Sequence, residues 1–322
     1  LCFVLMISSV YFLFNFIYPF NYLIKKITCT NTESCLSYLA MSSAIFRSLV
    51  YIRRQFCVNY SVKSLVREEH YLNNQVKRLV LQNPAKRNSL SLAMLTSLKE
   101  RLEASALEEE LRAVIIAADP PVFSAGHEFT ELTANNKDEC RAALIKLCTN
   151  VMKVIQSLSV PVIGEIRGVA AAAGCQLATS CDVLIAAENA KFSASGIKVG
   201  LFCSTPCVPL SRVLPRKFVF NMLFTGDAVT AREALQYGLV TMLVAEEDLK
   251  EETLKYAEKF CSLSKPALAL GKRFFYSQIE LPIDKAYREA ELVAAENLRY
   301  PDAQEGIRAF LEKRKPVWKS SD

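Results

Sequence analysis

Histidine is almost missing from this chain: among 322 residues only His70 and His127 carry an imidazole. No cluster of His, Cys and carboxylates stands at ligand spacing either, so no dedicated zinc or iron site is expected. Cysteine is present eleven times but never as a C-x-x-C pair; four precede residue 68 and seven are scattered behind it. An odd, unpatterned set in a chain of this length reads as buried thiols in a reducing compartment, not as a disulfide scaffold. The ten glycines form neither G-x-G-x-x-G nor G-x-x-x-x-G-K-[ST], which removes the phosphate-cradling loops of dinucleotide and P-loop sites.

Acidic residues are lacking locally, with none between Glu33 and Glu68. The first 67 residues hold seven Lys or Arg against Glu33 alone, and the remaining 255 hold 32 basic and 32 acidic residues. The net charge of +6 therefore belongs to the N-terminal segment. A neutral remainder without a basic, aromatic-rich cluster argues against binding nucleic acid.

From Met41 the sequence runs MSSAIFRSLVYIRRQFCVNYSVKSLVR, rich in serine and arginine and free of acid. That is the composition of a mitochondrial targeting segment. Residues 1–24 are apolar enough to span a bilayer, with Lys25-Lys26 as a flank, but Asn15, Pro19 and Asn21 interrupt the run and the chain starts at Leu1. The reading is an upstream segment at 1–40, initiation at Met41 and a transit peptide at 41–67. It leaves no membrane span in the mature protein, whose destination is the mitochondrial matrix. A signal anchor at the N-terminus is the alternative.

What is abundant is apolar side chain, 51% of the whole, ample for one large core. The folded part is expected to start with the strand QVKRLVLQNP from about Asn74. A helix capped by Ser91 follows, carrying Leu92, Leu95, Leu98 and Leu102. Strand patterns recur at 112–118, 160–167 and 181–187 between helical runs, which argues α/β. Beyond about residue 206 the strand signals stop and amphipathic helices take over. The expected division is a core at 68–265 and a helical C-terminal extension at 266–322.

Two stretches carry the chemistry. In VPVIGEIRGVAAAAGCQLATSCD (160–182) a strand runs into a helix that opens on small residues, Ala170 to Gly174, so its first N–H groups lie uncovered. In RAVIIAADPPVFSAGHEFTE (112–131) a strand breaks at Pro120-Pro121, and Ala125-Gly126 lets the N–H of His127 face a ligand.

The ordered pair FSAGHE and GVAAAAGCQ resembles the signature of the crotonase superfamily, the enoyl-CoA hydratase/isomerase family, over roughly Asn74 to the end. The resemblance implies ββα units wound into a superhelix, a helical C-terminal region that oligomerises as a homotrimer or a dimer of trimers, and a role in fatty-acid metabolism. It implies an acyl-CoA thioester oxygen held between the N–H groups of His127 and Ala173. Coenzyme A then enters as part of the substrate, with no covalently bound cofactor. Arg87 falls in the family's CoA-contacting loop, Ala125, Gly126 and Gly174 shape the two turns, and Phe310 and Lys313 fall where members reach the adenosine end in a neighbouring subunit. Arg314 and Lys315 read as a solvated helix end.

The sequence departs from the hydratase pattern where the family places two glutamates. Those positions are Gln176 and, on the same alignment, Gly196, neither of which exchanges a proton near neutral pH. Cys203, Ser204 and Thr205 follow and can line an acyl pocket or cap a helix; Cys203 is the candidate nucleophile or relay. Glu128 reads as a helix-start residue and Glu165 as facing solvent. Two functions stay open: an acyl-CoA enzyme with little hydratase activity, and a catalytically silent acyl-CoA binder or structural subunit.

Overall fold

A computed structural model describes residues 64–319. The expected upstream segment 1–40 and residues 41–63 of the expected transit peptide lie outside the described residues.

The chain opens with β1 (Val66–Tyr71), β2 (Val76–Leu81), α1 (Leu92–Ser105), β3 (Ala113–Ala118), α2 (Phe129–Leu132) and α3 (Asp138–Ser157). The middle holds β4 (Val162–Ile166), β5 (Val169–Ala171), α4 (Ala173–Thr179), β6 (Val183–Ala187), β7 (Lys191–Ser193), α5 (Ser204–Val213) and α6 (Arg216–Thr225). The last third adds β8 (Val229–Thr230), α7 (Ala231–Gln236), β9 (Met242–Val244), α8 (Leu249–Cys261), α9 (Lys265–Gln278), α10 (Ile283–Asn297) and α11 (Pro301–Leu311).

Six strands form one sheet in the order β1-β2-β3-β4-β6-β9, parallel except for the antiparallel β1–β2 pair. A smaller sheet runs β5-β7-β8. Two ββα units in the middle of the chain each give one strand to each sheet before the helix: β4, β5, α4, and then β6, β7, α5. Both faces of the large sheet are covered, as parallel strands require. Val114 and Ile116 of β3 face Leu98, Leu102 and Val151 from α1 and α3, while Ile115 and Ala117 join Leu249 and Ala257 of α8. Ser91 caps α1, its Oγ accepting from the Met94 N–H at 3.2 Å. Leu95, Leu98 and Leu102 are buried, but Leu92 faces outward and Met94 takes its place in the core.

Three sequence expectations change. The folded unit begins at Ser64, so the boundary at 68 falls inside β1, where Arg67 pairs with Asp119 at 3.0 Å. Strands continue beyond residue 206 as β8 and β9; they are two and three residues long, too short for a period-2 pattern to register. Glu165 is 4% exposed and forms a two-pronged pair with Arg78, at 2.9 and 2.7 Å, beneath α8. Its strand lies in the middle of a sheet buried on both faces, so no solvent side exists for it to reach.

The C-terminal helices are tied to the core through Asp182, which follows α4. Lys272 donates to Asp182 Oδ2 at 2.6 Å and to the carbonyls of Ile155 and Val160, and Tyr276 donates to Oδ1 at 2.6 Å. Among the described residues no helix is long and apolar enough to cross a membrane.

Candidate active site

The first turn is held by a residue the sequence reading passed over, Asn88. It is fully buried, donates from Nδ2 to the carbonyls of Asp119 (2.7 Å) and Val122 (2.8 Å), and accepts the Asn83 N–H at 2.8 Å. Its own carbonyl accepts from Ser124 Oγ at 2.8 Å, and that oxygen takes the Gly126 N–H at 3.2 Å. The adjacent Arg87 carbonyl accepts the Ala125 N–H at 3.0 Å. One amide thus fixes the loop leaving β3 and sets where His127 stands. A buried Asn whose side-chain amide bonds only to backbone leaves no trace in periodicity or composition.

The second turn docks directly on the first. Ser124 donates to the Val169 carbonyl at 3.1 Å and accepts the Ala171 N–H at 2.9 Å. Ala172 then turns the chain with φ +49°, a left-handed value that costs an alanine free energy and that sites with a function to perform retain. The Ser193 carbonyl holds it there, accepting the Ala172 N–H at 2.8 Å. α4 starts at once with Ala173. The two glycines permit this contact. Gly126 has φ +91°, and a Cβ on it would stand 2.9 Å from the Ala171 carbonyl oxygen and 3.2 Å from the Ala173 nitrogen. A Cβ on Gly174 would stand 2.5 Å from the Ser124 carbonyl oxygen.

The turns open on a cavity of about 690 Å³ whose wall includes Ala125, His127, Ala172, Ala173, Gly196 and Cys203. Neither the His127 nor the Ala173 N–H has an acceptor among the described residues. Two free donors on one largely apolar cavity can hold an oxygen that gains negative charge, with positive helix-end potential behind one of them. The His127 ring is anchored, its Nδ1 donating to the Leu90 carbonyl at 3.3 Å, and its Nε2 is buried with no partner. Burial pushes its pKa down, so the imidazole is neutral at physiological pH.

The side chains at the two substituted positions are less available. Gln176 is buried, does not line the cavity, and its Oε1 meets the Cys148 thiol at 4.0 Å on the α3 side. Gly196 lines the cavity, but a Cβ there would meet the Leu201 carbonyl oxygen at 2.7 Å and Cys203 Sγ at 2.8 Å. Cys203 stands at the N-cap position of α5 without a side-chain bond to the helix, and its Sγ accepts the Gly196 N–H at 3.3 Å. Burial raises its pKa, leaving a thiol at neutral pH. No Asp or Glu among the described residues lines the cavity.

Arg87 is exposed beside the first turn, in a left-handed conformation at φ +51°. Phe310, at 81% exposure, and Lys313 sit at the end of α11 and do not line the cavity. Arg314 is not merely solvated: it pairs with Glu305 and Glu312, both at 2.6 Å, folding the tail back on α11. Glu128 stands at the N-terminus of α2, accepting from Ser89 Oγ at 3.0 Å.

Residues 72–321 match the Enoyl-CoA hydratase/isomerase family. The chain belongs to this family. It is 47% identical over 247 residues to enoyl-CoA hydratase domain-containing protein 3, mitochondrial, of Danio rerio, spanning 77% of this chain and 86% of the relative. The Homo sapiens protein of the same name is 47% identical over 243 residues, covering 76% and 80% of the two chains. The crystal structure of that human protein superposes with a TM-score of 0.77 at 44% identity, over 79% of this chain and all of that one. The crotonase fold expected from the paired turns is therefore the fold of this enoyl-CoA hydratase/isomerase family member, and its relatives carry "mitochondrial" in their names.

Proposed function

We propose that the protein binds an acyl-CoA thioester in the mitochondrial matrix, as part of fatty-acid metabolism, and polarises its carbonyl between the N–H groups of His127 and Ala173. The observation that carries this reading is the convergence of two acceptor-free N–H groups, from two interlocked turns, on one apolar cavity. Such donors stabilise an oxyanion, the enolate of isomerisation and decarboxylation or the tetrahedral intermediate of thioester cleavage. Arg87 takes a phosphate of coenzyme A; Phe310 and Lys313 serve the adenosine end of a neighbouring subunit in a homotrimer or dimer of trimers. Exposed Phe275 on α9, Ile279 just after it, and Ile283 and Leu292 on α10 support such an assembly.

Hydration of a double bond is not the activity proposed. It needs a group that delivers hydroxide and one that delivers a proton; Gln176 titrates neither way and stands off the cavity, and Gly196 has no side chain. A carboxylate-free wall also favours a second reading, a binder that holds acyl-CoA without turning it over.

Calorimetry with acyl-CoA thioesters, followed by a spectrophotometric crotonyl-CoA assay, tests both parts. The expected outcome is binding, with hydration on the order of 10²- to 10⁴-fold below a two-glutamate hydratase. Absence of binding to every acyl-CoA contradicts the reading, and a fast hydration rate contradicts its chemistry.

A further inference from the structure

The acyl-CoA reading, on which this inference rests, leaves the charge of the cavity unused. Two cations line it, Arg141 and Lys198, and among the described residues no carboxylate accompanies them on the wall. Arg141 lies in the first turn of α3, one helical turn before Ile145, and shares the cavity with the apolar Phe129 and Leu132 of α2. α5 begins on the same wall at Ser204 and Thr205 without a side-chain cap, adding the partial positive charge of a ten-residue helix.

A plain hydrocarbon tail reaching this wall strips water from a guanidinium and returns nothing for it. A tail that ends in a carboxylate returns a charge-assisted, two-pronged pair. Arg141 has donors to spare. Its Nη1 donates to the Thr133 carbonyl at 3.2 Å, and its Nη2 pairs with Asp138, whose side chain is 86% exposed. A guanidinium offers five N–H groups, and an exposed pair three residues apart on a helix holds weakly. The partner of Lys198, Asp227, is likewise exposed at 67%.

We propose that the cavity selects acyl chains ending in an anion, the mono-CoA thioesters of dicarboxylic acids, with Arg141 as the specificity-determining residue and Lys198 as a second cation. The same cations could instead meet a phosphate of coenzyme A, and the experiment separates the two sources of negative charge.

Calorimetry on the folded protein would compare dicarboxylic and monocarboxylic CoA thioesters of equal length, from four to eight carbons, together with free coenzyme A. At one or more lengths the diacid thioester is expected to bind roughly ten- to hundredfold tighter. Methyl-esterifying its distal carboxylate should erase that margin, a comparison that needs no variant. Arg141→Leu should erase it too, with the monocarboxylic thioester bound at least as tightly as before, since no guanidinium is left to desolvate. Equal affinities at every length overturn the inference. So does Arg141→Leu weakening free coenzyme A and all thioesters alike, which assigns the cation to a phosphate. No binding of any thioester overturns the acyl-CoA reading itself, a different result from binding without preference.

Discussion

At the scale of single residues, backbone geometry carries more of the site than side chains do. Gly126 combines a left-handed φ with a Cβ position 3.2 Å from the Ala173 nitrogen, so Gly126→Val both strains the turn and covers the second donor. The variant should lose acyl-CoA binding in calorimetry while keeping its far-ultraviolet circular dichroism; unchanged affinity would remove the donors from the account. Arg87→Ala removes the proposed phosphate contact and should weaken binding by about 1 to 3 kcal/mol. Asn88→Ala leaves Asp119 O, Val122 O and the Asn83 N–H without their partner, and should cost at least about 2 kcal/mol in a denaturant titration. Restoring hydration is harder than the sequence suggests. In Gln176→Glu with Gly196→Glu, the new Cβ at 196 meets a backbone oxygen at 2.7 Å. That double variant should melt below the native protein and gain no crotonyl-CoA hydration.

At the scale of elements, the second face of the large sheet has a polar centre. Arg78 on β2 bridges Glu165 on β4 and Glu69 on β1 across the intervening strand. Glu165→Ala leaves the buried Arg78 guanidinium with Glu69 as its remaining carboxylate and should cost up to about 3 kcal/mol, whereas Arg78→Met with Glu165→Leu should cost less, because Glu69 keeps Arg67 and no buried charge is left unpaired. Burial alone would raise the pKa of Glu69, but the Tyr71 hydroxyl, Arg78 and Arg67 outweigh it and hold the carboxyl at about 2. With the folded value below the unfolded one, this contribution is full above the ordinary carboxylate range. It is lost as pH falls from about 4 toward 2, a window that a Glu69→Gln comparison by thermal melting isolates.

The elements also show which parts of the fold were legible in the chain. Val114 to Ala117 and Ile163 read as strand because both faces are buried and the run is continuously apolar. The strand β1 did not: VREEHY is an edge strand whose ionisable run Arg67 to His70 is held by Lys77, Arg78, Arg101 and Asp119, partners outside the strand itself. β5 and β7 were missed for being three residues long, although β5 fixes the second turn. The turns themselves were legible because small residues in FSAG and AAAAG are a local requirement. Asn88, Arg141 and the true surroundings of Glu165 were not, since each takes its meaning from strands and helices far along the chain.

At the scale of the whole molecule, the C-terminal tail folds back on α11. Val317 and Lys319 donate backbone N–H groups to Glu305 and Asp302, and Trp318 donates to the Ser262 carbonyl at 2.8 Å. Trp318 is the only tryptophan in the chain, so its fluorescence reports this docking alone. Glu305→Ala should shift its emission to the red before any global unfolding. The charge asymmetry of the first 67 residues makes a separate claim: a tagged protein started at Met41 should be imported into mitochondria, and removing the part of the expected 41–67 segment that precedes Ser64, with the initiating Met kept, should abolish import. The proposed function turns on one event, the polarisation of a thioester carbonyl by two backbone donors. Isotope-edited infrared spectroscopy of a bound acyl-CoA labelled with ¹³C at the thioester carbonyl measures it directly. The labelled stretch is expected to move to lower frequency on binding and to stay at its solution value with Gly126→Val; a thioester that binds tightly with its carbonyl stretch unmoved would contradict polarisation by the two donors.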